Sequence, residues 1–271
     1  MALNTLIARK LFHLICVKNY TIPQERPGYD EYEFRKSMGY AEEFFNRRYR
    51  GQLDFRDKSV VDIGCGYGST CIYMGLKGVR QVVGIDIDEH RLNFARNKLA
   101  AEYPELEGRV EFTLKIPQTQ KFDIALSFNS FEHYADPENF IFTMKQYLKP
   151  NGFMAVAFGP LWKSPWGGHI DFMTRFPWAH LIFPELVIMR ERRRFRPDEA
   201  AESFEQIRGG LNKMTLRRFK MIITDHQLEF SYFKTNVSRR KVIKVFNMLK
   251  HLPSCEEYFT IDVCSIAISK N

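Results

Sequence analysis

The segment Val60-Val61-Asp62-Ile63-Gly64-Cys65-Gly66-Tyr67-Gly68 constrains this chain more than any other stretch. A short apolar run reads as a buried strand, and three glycines spaced two apart follow it directly. Glycine removes a Cβ where the chain turns sharply and where a ligand must approach the backbone. Ser69 to Leu76 then suits a helix, closed by Lys77-Gly78. Its first turn leaves free N–H groups that favour a negative group such as a carboxylate. A second apolar strand, Gln81 to Ile85, leads into Asp86, twenty-two positions after Gly64. A carboxylate there can accept hydrogen bonds from two ribose hydroxyls, as in nucleotide-binding sheets generally.

The same rhythm continues. Glu89 to Glu102 reads as a helix with Leu92, Ala95 and Leu99 on one stripe, and Arg109 to Leu114 as a third strand. Phe122 to Phe128 is a fourth strand and Pro137 to Leu148 a helix. Phe153 to Phe158 is a fifth strand after a Pro150-Asn151-Gly152 turn. Strands separated by helices of this length need crossover connections, so the expectation is an α/β fold with a mostly parallel sheet covered on both faces. From Gly159 to about Lys213 the rhythm fails, and this stretch holds Trp162, Trp166 and Trp178. It resumes with a helix at Thr215 to Thr224 and a strand at Phe230 to Asn236. A basic helix at Ser238 to Lys250 and a strand at Phe259 to Ile268 complete the chain. Ahead of the first strand, Pro23 and Pro27-Gly28 break the chain, and Asp30 to Tyr49 forms an aromatic-rich helix. The domain expectation is a helical extension or lid over 1–57. One domain over 58–271 follows, interrupted by an insertion at about 159–213.

The spacing G-x-G-x-G, with Asp62 two residues before Gly64, differs from the dinucleotide fingerprint, since residue 69 is Ser. It resembles the class I S-adenosylmethionine-dependent methyltransferases, and the likeness runs from about Ser59 to Phe158. The resemblance implies a three-layer Rossmann-like sheet, mostly parallel with a C-terminal antiparallel strand. The segments at Phe230 and Phe259 would form the closing hairpin. It also implies S-adenosylmethionine as cofactor. Gly64, Cys65, Gly66 and Gly68 would pass beneath the methionine part, and Asp62 would hold its amino group. Asp86 would bind the ribose, Ile87 would pack on the adenine, and Phe128 and Asn129 would line the sulfonium side. One departure is plain. Where the family often carries an acid for the adenine amine, this chain reads Thr113-Leu114-Lys115-Ile116-Pro117, which leaves that contact to backbone groups.

Several subclasses lack their signatures. Asn129-Ser130-Phe131-Glu132-His133-Tyr134 is not the Asn/Asp-Pro-Pro-Tyr/Phe stretch of amino-methylating DNA enzymes. Glu132 and Glu138 do not sit in the paired-glutamate loop of protein arginine enzymes. Asn129 and Gly159-Pro160 do not supply the carboxylates of metal-dependent catechol-type enzymes. The reading that remains is methyl transfer to an oxygen or nitrogen of a small molecule, an anionic one among the candidates. A histidine general base would add a factor of about 10²–10⁴ to such a reaction. His169 is the preferred base, with Asp171 as its orienting carboxylate, and His133 is the second candidate. No local third ligand accompanies His169 and Asp171, so no metal is expected.

Charge leaves a second reading open. Lysine plus arginine is 40 against 32 acids, for a net charge of +8. Lys234, Arg239, Arg240, Lys241, Lys244 and Lys250 form one cluster, and Arg190 to Arg196 contributes five arginines against Glu191. Such faces can neutralise phosphates, which makes RNA methylation the alternative. A non-catalytic cofactor-binding protein of the same fold is the other. Five cysteines without a CxxC pair point to a reducing, cytoplasmic compartment rather than a disulfide framework. The apolar stretch Leu11 to Val17 contains His13 and lacks a small-residue cleavage site, which argues against a secretory leader. It reads as an amphipathic helix docked on the body or forming a lid, with a surface-seeking membrane helix as the second reading.

Overall fold

A computed structural model describes residues 2–17, 27–115, 119–237 and 241–270. Pro23, Ile116, Pro117 and residues 238–240, which include Arg239 and Arg240, lie outside the described residues. In chain order the elements are α1 (Ala2–Ile15), α2 (Tyr29–Glu43), β1 (Ser59–Ile63), α3 (Ser69–Leu76), β2 (Gln81–Ile85) and α4 (Glu89–Glu102). There follow β3 (Val110–Thr113), β4 (Phe122–Phe128), α5 (Pro137–Gln146), β5 (Leu148–Phe158), α6 (Ala179–Ile182) and α7 (Glu185–Arg192). The chain ends with α8 (Leu216–Asp225), β6 (Leu228–Thr235), α9 (Ile243–Leu249), α10 (Glu256–Phe259) and β7 (Val263–Ser269).

The seven strands form one sheet in the order β3-β2-β1-β4-β5-β7-β6. The pairs among β1 to β5 are parallel, and β7 enters antiparallel between β5 and β6. This is the expected three-layer Rossmann-like arrangement. Burial on both faces explains the continuous apolar strands, because successive side chains point to opposite sides. Val60, Val82 and Ile124 pack in one cluster with α2, α3 and α4. Their neighbours Val61, Val83 and Ala125 pack in another with α5 and α8. A third cluster joins Phe12 of α1 to residues between Ile170 and Leu211, so the N-terminal helix packs on the segment after β5.

Four boundaries differ from expectation by more than two residues. The helix at Asp30 to Tyr49 ends at Glu43 and continues as a π-helical turn, Phe44–Arg48. β5 starts at Leu148 rather than Phe153. Leu148 pairs with Phe122 before a register shift, so Pro150-Asn151-Gly152 is a bulge within the strand. The described part of the basic helix is shorter, Ile243–Leu249. Residues Glu256–Phe259 are helical, and the last strand begins only at Val263. There side chains take over from the ladder: Asn236 Oδ1 accepts from the Ile261 N–H at 2.8 Å, and Asp262 Oδ1 from the Val237 N–H at 2.7 Å.

Strand order reverses between β1 and β4, whose outer neighbours are β2 and β5. Sheets of this kind open a crevice at the carboxyl ends of their strands at such a point. The turn Gly64 to Gly68 and the residues after Phe128 both emerge there.

Candidate active site

The glycine turn is held in left-handed backbone, with φ of +85° at Gly64, +55° at Gly66 and +78° at Gly68. A Cβ on Gly68 would lie 2.5 Å from the Phe112 ring and 2.8 Å from the Ala95 Cβ, so this glycine lets α3 pack against β3 and α4. Nothing lies within 4 Å of a Cβ placed on Gly66, which borders open space. That space is a cavity of about 440 Å³. Asp62, Gly64, Cys65, Gly66, Phe128 and Asn129 line it, together with Ser69 and Thr70 in the first turn of α3. No side chain caps that helix start, which leaves its first amides for a ligand.

Asp86 braces the turn from below. Its Oδ2 accepts from the Gly66 N–H at 2.8 Å, and its Oδ1 accepts from the Asp88 N–H at 2.9 Å. Each carboxylate oxygen has a second lone pair, so two acceptor sites stay available. Ile87 beside it is 94% exposed, an apolar surface open to a planar partner. Gly68, Asp86 and Ile87 therefore flank the cavity without lining it. Asp62 sits in its floor, where burial pushes the carboxyl up to about 7 against the Cys71 thiol, which donates to Oδ2 at 3.5 Å; Asp86 adds a smaller upward push.

Sequence reasoning expected a helical extension or lid over 1–57 but named none of the residues that roof the cavity. Tyr29, Glu33, Lys36, Ser37 and Tyr40 of α2 line the same cavity, as does Arg91 of α4. Asp30 ties that roof down: Tyr67 of the glycine turn donates to its Oδ1 at 2.8 Å, and His90 Nε2 lies 2.8 Å from its Oδ2. The signal was present in the recurrence of 29, 33, 36/37 and 40, a second stripe at helical spacing beside the aromatic one.

The histidines and Asp171 are not among the lining residues. His169 is in left-handed backbone (φ +49°), and its buried Nε2 has no hydrogen-bond partner among the described residues. Burial, and after it the neighbouring His133, push its pKa down to about 4, against the Pro160 carbonyl. Asp171 is exposed and makes no hydrogen bond to His169, so the expected orienting pair is not formed. His133 packs edge-on to His169, with ring centroids 5.3 Å apart. Its Nδ1 lies 2.7 Å from the Gly210 carbonyl. A carbonyl only accepts, so Nδ1 carries the hydrogen there and a neutral ring keeps its lone pair on Nε2. Burial raises the pKa of Glu132, next in the chain, and its Oε1 accepts from the Gly159 N–H at 3.3 Å.

Against known proteins, residues 29–185, more than half of the chain and all of the elements that build the site, match the family model of the methyltransferase domain. The chain is 35% identical over 129 residues to the ubiquinone biosynthesis O-methyltransferase of Bartonella tribocorum, covering 45% of this chain and 50% of that protein. Identity to the mitochondrial ubiquinone biosynthesis O-methyltransferase of Schizosaccharomyces pombe is 29% over 121 residues, 42% of this chain and 43% of that one. The chain thus spans about half the length of the curated relatives it matches. Among solved structures, the geranyl diphosphate C-methyltransferase of Streptomyces coelicolor A3(2) superposes with a TM-score of 0.55 at 14% identity, covering 91% of this chain and 85% of that one. The [4+2]-cyclase SpnF superposes at 0.52 and 14%, covering 98% and 94%. At such identities the likeness speaks for the fold, and the cyclase shows that the fold alone does not fix the reaction. The family match covers the strand, turn and acid around the cavity: the chain belongs to the methyltransferase-domain family.

Proposed function

We propose that this protein binds S-adenosylmethionine in the glycine-turn cavity and transfers its methyl group to an oxygen of a small molecule, with nitrogen as the second choice of acceptor atom. The observation that carries the reading is the donor and acceptor set around that one cavity. A buried carboxyl raised to about 7, as at Asp62, suits an ammonium group, which would favour its charged form. The uncapped start of α3 suits a carboxylate, and the two spare acceptor sites of Asp86 suit a ribose diol. The preference for oxygen comes from the relatives, which are named O-methyltransferases.

The sulfonium supplies an activated methyl group when bound, so the chain's own task is placement. Phe128 and Asn129 at the end of β4 border the cavity and leave room for an in-line approach. Alignment of this kind can be worth as much as ~7–11 kcal/mol of the barrier. As the new O–CH3 bond forms and the S–CH3 bond breaks, a hydroxyl acceptor must lose its proton. For that proton His133 is the better candidate than His169, because burial pushes the His169 ring down to about 4, a poor acceptor near neutrality.

Isothermal titration with S-adenosylmethionine and its demethylated product tests the cofactor claim, and absence of binding by both would sink it. Asp86→Ala is expected to weaken both at least tenfold. Acceptor screening, read by formation of the demethylated cofactor, tests the reaction separately. With an acceptor found, His133→Gln should lower kcat at unchanged cofactor affinity; the same loss confined to His169→Gln would reverse the assignment.

A further inference from the structure

The face of α1 turned away from the body carries an apolar stripe. Phe12, with Ala8 and Ile15, packs into the third cluster, and the Phe12 ring meets Phe183 with centroids 4.9 Å apart. Ile7, Leu11 and Leu14 recur at i, i+4 and i+7 and are left in solvent, Leu14 at 78% exposure. A helix serving only to cover the body would keep polar residues on that side. The neighbouring elements extend the feature, since α1 packs on α7 and the α6–α7 segment leaves Ile182 and Leu186 exposed. Contiguous apolar exposure of this kind marks an interaction site rather than ordinary surface.

Charge decides the partner. α1 holds Arg9, Lys10 and His13 and no acid. Arg9 and His13 turn to the buried Glu191, which anchors the helix to α7. Lys10 is exposed beside the apolar stripe, and Arg175 and Arg190 are exposed on the adjoining segments with no ion pair among the described residues. Asp171 is the exposed acid on the same segment as Arg175. An apolar stripe edged by cations, on a helix lying flat against the protein, matches an anionic bilayer surface. There the stripe enters the acyl boundary and the cations stay among the headgroups. No helix among the described residues is long and apolar enough to cross a membrane, so the contact is with one leaflet.

We infer that α1, with the adjoining α6–α7 segment, docks this protein on an anionic lipid surface. The inference is independent of the methyl-transfer reading and would stand or fall without it. The test is co-sedimentation of the full chain with phosphatidylcholine vesicles, with and without phosphatidylglycerol. Binding should require the anionic lipid and weaken with salt. The double variant Leu11→Glu/Leu14→Glu should bind at least tenfold more weakly, and Lys10→Glu several-fold. Unchanged thermal midpoints would show that both variants are folded. Equal sedimentation of wild type and double variant overturns the proposal. So does absence of wild-type sedimentation, whether the chain is monomeric or forms a dimer that the double variant abolishes. That last result would assign the stripe to a second copy of the chain.

Discussion

Asp62 couples the cavity to pH. Its carboxyl titrates near 7 in the folded protein, chiefly through burial, against an ordinary value of 3.8. Between those values the folded state holds a proton that the unfolded state has lost, so this group's contribution makes stability fall as pH rises from about 4 to 7. Above 7 the full cost of a buried charge stands, on the order of a few kcal/mol. Asp62→Asn removes that cost. The cofactor-free variant should therefore melt higher than wild type at about pH 8 and gain little at about pH 5, while binding the cofactor more weakly at both. Thermal melts at the two values check the sign; an equal change at both would show that the carboxyl does not titrate in this window. At this scale the sequence was legible where chemistry and backbone coincide. Gly64, Gly66 and Gly68 were readable because left-handed backbone selects glycine whatever surrounds it. The division of labour between Gly66 and Gly68 was not, because it depends on Phe112 and Ala95, brought close only by folding. Nor was the weakness of His169 as a base: its burial comes from segments distant in sequence.

Among the elements, α2 does the work that the sequence least announced. Its aromatic stripe, with Phe34 and Ala41 buried, gave the helix away, but the stripe that faces the cavity is mixed in polarity and carries no motif. β1, β2 and β4 were legible to within a residue, since strands buried on both faces read as unbroken apolar runs. Boundaries failed where a tertiary contact replaced a local signal, as at β7, whose start is set by Asn236 and Asp262 rather than by the apolar run from Phe259. The attachment of α2 is testable. Asp30 links it to both the glycine turn and α4, through Tyr67 and His90. Two partly exposed hydrogen bonds of this kind contribute about 1–2 kcal/mol. Asp30→Ala should therefore speed amide exchange across Tyr29–Glu43 and weaken cofactor binding by roughly three- to tenfold, with little change in the thermal midpoint. Unaltered exchange in α2 would mean that its apolar face and the Glu31–Lys98 and Arg35–Glu102 ion pairs to α4 hold the roof in place without Asp30.

For the whole molecule, the net charge of +8 suggests more freedom to bind anions than the folded chain retains. Much of the run Arg190 to Arg196 turns inward. Arg192 donates to the buried Glu199 at 2.7 Å, Arg196 lies 3.6 Å from the same carboxylate, and Arg194 donates to the buried Glu191 at 2.6 Å. Arg192 and Arg196 also stack over the Phe172 ring. The sequence could not separate these roles, because a cation paired with a buried acid and one facing solvent look alike in a string of letters. What the run builds is the internal wiring of the segment after β5, to which α1 is tied through Arg9 and His13. Freeing Arg192 for a phosphate would leave the Glu199 carboxylate in a low-dielectric setting, and breaking a buried pair costs about 3–5 kcal/mol. The run Arg190 to Arg196 should consequently add little to RNA binding, which leaves the exposed Lys234, Lys241 and Lys244 of the other cluster and a shallow salt dependence, a slope of log K against log salt no steeper than about −3. Filter binding or anisotropy across a salt series measures that slope directly. A value several times steeper would show that a phosphate-tracking face forms after all, and would return RNA to the front as the methyl acceptor.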